Sequence, residues 1–103
     1  MPTPNNQIID NIIHCQADIM RINSKQLSYE DVKKISAIGM HLFKLRVAIS
    51  YRPIEKKDIE LIDESIDTVN FYLDNLTHEQ ASLNQVYRRL TSIKGRMEKE
   101  LKS

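Results

Sequence analysis

The spacing of apolar residues between Ile59 and Leu76 constrains this chain more than any other feature. Ile59, Ile62, Ile66, Val69, Leu73 and Leu76 recur at intervals of 3, 4, 3, 4 and 3, the repeat by which one helix face meets another helix. Asp58, Glu60, Asp63, Glu64, Asp67 and Asp74 lie among them. The pattern predicts a helix over residues 58–76 with one apolar side and one acidic, hydrated side. Such a rod, about 28 Å long at ~1.5 Å per residue, has no means of burying its stripe alone. The rest of the chain must supply the neighbours.

Three further segments have the periodicity to do so. Ile8, Ile9, Ile12, Ile13, Ile19 and Met20 predict a first helix over residues 6–21, ended by the turn chemistry of Asn23-Ser24-Lys25. Ser28 offers an N-cap, and Glu30 and Asp31 fall in the first turn, where the helix dipole favours them. This second helix is predicted to run to Tyr51, with Pro53 stopping it at Arg52. Val32, Ile35, Ile38, Met40, Leu42, Phe43, Leu45, Val47 and Ile49 cover most of its circumference, which reads as the most buried helix of the set. Gly39 reads as a point of close helix–helix approach.

Beyond Leu76 two readings stand. The 3–4 repeat continues through Gln80, Leu83, Tyr87, Leu90, Lys94, Met97 and Leu101, which allows one long helix over residues 57–102 and a coiled-coil dimer. Alternatively, Thr77 and Gln80 form a capping box with Leu76 and Ala81 as its staple, and a new stripe begins at Leu83, Val86, Leu90, Ile93 and Met97. The polar Gln80 and Lys94 in the continued core favour the break. The expected fold is therefore all-α, an up-down bundle of four helices in one domain over residues 1–103, with residues 1–5 as a flexible tail.

Composition narrows the function classes. The formal net charge is only +1, but residues 1–54 carry +3, residues 55–76 carry −5 and residues 77–103 carry +3. An acidic helix between two basic segments favours antiparallel neighbours within one molecule. Cys15 is the single cysteine, which leaves no disulfide framework. The N-terminus lacks the basic start and apolar run of a signal peptide, and no apolar stretch is long enough to span a membrane. A cytoplasmic protein is expected, and the Ile-, Asn- and Lys-rich composition suits an AT-rich bacterial or phage genome.

Catalytic and metal chemistry find little footing. His14 and Asp18 stand one turn apart with Cys15 adjacent, but His41 and His78 lie on other elements without pairing motifs, so no metal site and no cofactor are expected. Cys15 and His14, as helical neighbours, diverge by about 100° and do not form a nucleophile–base pair. Glu60/Glu64 and Asp63/Asp67 face away from the apolar stripe and read as a solvated surface. Arg88, Arg89, Arg96, Lys99 and Lys102 fall on the outer side of the last helix, where they are suited to following phosphates. The aromatic interleaving of single-strand binders is missing, and nucleic acid is not the favoured partner.

The tetrapeptide His41-Leu42-Phe43-Lys44 resembles the H-x-x-K core of histidine-phosphotransfer domains, which are also four-helix bundles of about this size. The resemblance implies His41 as phosphoryl acceptor, with Lys44 one turn along to neutralise the phosphoryl group. Leu45 stands where that family carries Gly directly after the Lys.

Protein binding has a positive signal. Leu61, Phe71 and Tyr72 fall outside the stripe of the third helix, and the second helix has more apolar surface than one groove uses. With Arg88, Arg89 and Arg96 they compose the expected partner-binding surface, since aromatics and Arg most often anchor interfaces. The expected function is that of a non-enzymatic module that occludes or chaperones a partner protein, of the inhibitor, immunity, antitoxin or secretion-chaperone type. A second copy of the chain is the other expected partner.

Overall fold

Helices form in the order the apolar spacing implies: α1 spans Asn6–Met20, α2 Tyr29–Ile49, α3 Lys56–Asn75 and α4 Gln80–Lys102. The computed structural model describes residues 5–102, so residues 1–4 of the expected tail lie outside the described residues. Asn5, counted in that tail, is buried, and its side-chain amide donates to the Ile49 carbonyl at 2.9 Å. It ties the start of α1 to the end of α2. Each helix packs on the next, and α4 closes against α1, so four helices ring one core in a body of 43 × 20 × 20 Å. The α3–α4 and α1–α4 seams are the most intimate, and α2 sits more loosely against α1 and α3.

The connections follow local chemistry. Asn23 Oδ1 accepts from the Lys25 N–H at 3.0 Å, starting a 3₁₀ turn over Ser24–Gln26. Ser28 caps α2 as expected, its hydroxyl accepting from the Asp31 N–H at 3.1 Å. That helix ends at Ile49, slightly before the expected Tyr51, with the Ser50 hydroxyl donating to the Arg46 carbonyl at 2.8 Å. The α2–α3 turn is clamped by a group the sequence placed on the wet side of α3. Asp58 is buried and takes a bidentate pair from Arg52, both contacts at 2.8 Å, while the Glu55 N–H donates to its Oδ2 at 2.8 Å.

Burial alone would push the Asp58 carboxyl up, but the Arg52 guanidinium, the Glu55 N–H and the Lys57 charge outweigh it and hold the carboxyl below its ordinary value. A folded carboxyl that titrates below the unfolded one, near 3.9, contributes its full stability above that pH. The contribution is lost as pH falls through the lower folded value. Acid unfolding followed by circular dichroism is expected to begin below about pH 4, and Asp58→Asn should flatten that limb. An unchanged acid limb in Asp58→Asn would assign it to other carboxylates.

Helices α3 and α4 are separate, which excludes the single long rod. Leu76 is extended (φ −103°, ψ 139°) and Glu79 has φ 60°, and neither conformation continues a right-handed helix. The Glu79 carbonyl accepts from the Leu83 N–H at 2.9 Å and so opens α4. Gln80, expected to cap the start of α4 with Thr77, instead closes α3. Its side-chain amide donates to the Leu73 carbonyl at 3.0 Å and to that of Leu76. The stripe of Leu83, Val86, Leu90, Ile93 and Met97 is fully buried, as its spacing predicts.

Candidate functional site

The residues expected to form one partner surface are divided by the bundle. Tyr72, only 2% exposed, belongs to the core. A helix in a ring of four has two flanking neighbours, so the buried arc of α3 widens towards α2 and takes in Ser65 and Tyr72. Leu61 packs at the edge of the core. Phe71 is exposed and meets the Tyr72 ring edge-on, with centroids 5.3 Å apart, beside Lys34 in the α2–α3 groove. The cations point elsewhere. Arg89 Nε donates to Asp18 Oδ2 on α1 at 2.9 Å, and Arg96 donates to the Gln7 side chain on α1 at 2.7 Å. Arg88 is exposed. The α2–α3 and α1–α4 seams lie on opposite sides of the ring, so Phe71 and the paired arginines do not share a face.

The other candidates are also separated. Asp18, one turn from His14, is buried and committed to Arg89, with Arg21 at 3.4 Å on its other oxygen. Cys15 is buried beside it, and burial, together with the Asp18 charge, pushes its thiol up to about 12 against the opposing charge of Arg89. Among the described residues no three His, Cys, Asp or Glu side chains cluster as metal ligands. His41 sits half-buried in the α2–α3 groove with Lys34, Glu64 and Ser65, while Lys44 is exposed. Lys94 pairs with Asp63 of α3 at 2.6 Å. Among the described residues no helix is long and apolar enough to cross a membrane.

What the bundle does bring together is an apolar face on α1 and α2. The helix expected to be most buried buries only one side, Ile35, Ile38, Leu42, Leu45 and Ile49. On its outer side, Met40 is 59% exposed and Phe43 48%, and Val47 is exposed as well. Along α1, Ile13 is exposed and Met20 is 85% exposed. Ser36, Met40, Phe43 and Val47 follow a 4-3-4 spacing, as do Ile9, Ile13, Gln16 and Met20, so each helix carries a second helical row beside its core row.

Between the two helices, beside their connection, lies a groove of about 420 Å³, lined by Gln16, Met20, Ile22, Leu27, Val32, Ser36 and Gly39. The Gln16 amide crosses it to the Gly39 carbonyl at 3.4 Å. Gly39 is not a point of close approach: a Cβ there would meet no atom within 4 Å. Its missing side chain leaves the floor of the groove open. Arg46 lies over the Phe43 ring, 5.2 Å from its centroid, and its Nε–H is buried without a hydrogen-bond partner. The signal for this face was present as the second 4-3-4 row on each helix. Periodicity alone does not single it out, because a helix apolar nearly all round reads as wholly buried. Compared with known protein families, with characterised proteins and with solved structures, the chain matches none.

Proposed function

We propose that this protein is a non-enzymatic binding module that docks another protein on the α1–α2 face and occludes or shelters the partner's surface. The observation that carries the reading is the set of exposed apolar side chains, Ile13 and Met20 on α1 and Met40, Phe43 and Val47 on α2, on two helices with an open groove between them. Contiguous apolar surface of this kind on a folded domain is characteristic of an interaction site, and exposed Met side chains adapt readily to a partner. An inhibitor, immunity protein, antitoxin or secretion chaperone works by such coverage.

The test uses the immobilised full chain in lysate of the organism that encodes it, or of that organism's host, beside the variant Met40→Glu/Phe43→Glu. Both positions are exposed, so the variant is expected to melt within about 1 kcal/mol of the parent while losing the protein that the parent retains. Equal retention by parent and variant places docking elsewhere. A parent that retains nothing and is monomeric by light scattering removes the reading.

A further inference from the structure

We infer that the α1–α2 groove takes an amphipathic helix of a partner protein, apolar at 3–4 spacing and acidic along the edge that lies over α2; this rests on the binding-module reading above. Each of the two helices carries a second row at 4-3-4 spacing, and the groove between the helices, lined by Gln16, Met20 and Ser36 of those rows, has the form of a trough into which a third helix packs. The open floor at Gly39 and the small Ser36 give room for a large apolar side chain of that helix to enter.

Charge selects among occupants. Lys33 continues the Met40 row, Lys44 follows Phe43, and Arg46 adds its charge over the Phe43 ring, whereas Asp10 is the single acid edging the α1 row. A second copy of this chain would bring the same cationic excess to the seam and oppose like charges. A helix with carboxylates along one edge meets Lys33 and Lys44 favourably.

The experiment selects a displayed library of amphipathic helices against the full chain, with apolar residues fixed at 3–4 spacing and the flanking positions randomised. Two rim ion pairs together correspond to about a fivefold affinity preference. Selected helices are therefore expected to be enriched in Asp and Glu on one edge, and selection against Lys33→Glu/Lys44→Glu should reverse that enrichment to Lys and Arg. Helices selected without charge preference, yet lost with Met40→Glu/Phe43→Glu, overturn the acidic-helix inference and leave the docking face standing. Helices whose binding is indifferent to Met40→Glu/Phe43→Glu, or a library yielding no binder, overturn both. A dimer in light scattering that Met40→Glu/Phe43→Glu dissolves assigns the groove to a second copy and overturns the inference.

Discussion

Replacing Arg89 with alanine is expected to destabilise the bundle by about 3–5 kcal/mol. Asp18 is 4% exposed, and its charge is met chiefly by Arg89 Nε at 2.9 Å across the α1–α4 seam. Arg21, at 3.4 Å, reaches Asp18 from a largely exposed position and compensates weakly. Truncating Arg89 leaves a carboxylate in a site with little water, which costs more than the pair contributes when intact. For that reason the double variant Asp18→Leu/Arg89→Leu should recover most of the loss. Cys15 supplies a built-in readout. Its thiol is fully buried and held protonated well above neutral pH, so reaction with a thiol reagent requires opening of the α1–α4 seam. Labelling should be slow in the parent, much faster in Arg89→Ala and slow again in the double variant. An Arg89→Ala protein within about 0.5 kcal/mol of the parent would mean that solvent, not Arg89, balances Asp18.

Adjacent aromatic residues on α3 should respond very differently to truncation. Tyr72→Ala is expected to cost about 3–5 kcal/mol, the range for deleting a large buried aromatic side chain. Phe71→Ala removes an exposed ring whose edge-on contact with Tyr72 is worth about 1 kcal/mol. Tyr72 is sealed between α3 and its neighbours, where burial pushes its hydroxyl up to about 12 and the negative charges of Asp31 and Glu30 at the start of α2 add to that shift. Polar substitution of the two together should therefore unfold the protein instead of abolishing docking on a folded scaffold. Urea denaturation of the single variants measures this directly, and equal midpoints for the two would contradict the core placement of Tyr72.

Much of the architecture is legible in the chain by itself. The 3–4 stripe of α3, the Ser28 cap and the stripe from Leu83 to Met97 each depend on the helical repeat or on hydrogen bonds a few residues apart. Such features need no knowledge of neighbours. Polar residues in the continued core favour a break between α3 and α4, but the chemistry of that break is not local. A left-handed Glu79 and a Gln80 side chain that turns back to α3 carbonyls depend on how the two helices fold against each other.

Which apolar residues the core consumes is set by packing between helices. A helix wheel gives directions, and the number of neighbours determines how wide an arc is buried. Two flanking helices widen the buried side of α3 enough to absorb Tyr72, while the outer row of α2 receives no neighbour and leaves Met40 and Phe43 in solvent. Charges follow the same logic. Asp18 and Asp58 read as surface carboxylates until α4 and the α2–α3 turn bring Arg89 and Arg52 to them. Periodicity determined the helices and their inner stripes because both are local. The exposed apolar face of α1 and α2 and the Asp18–Arg89 pair depend on residues distant in sequence, and packing alone brings those together.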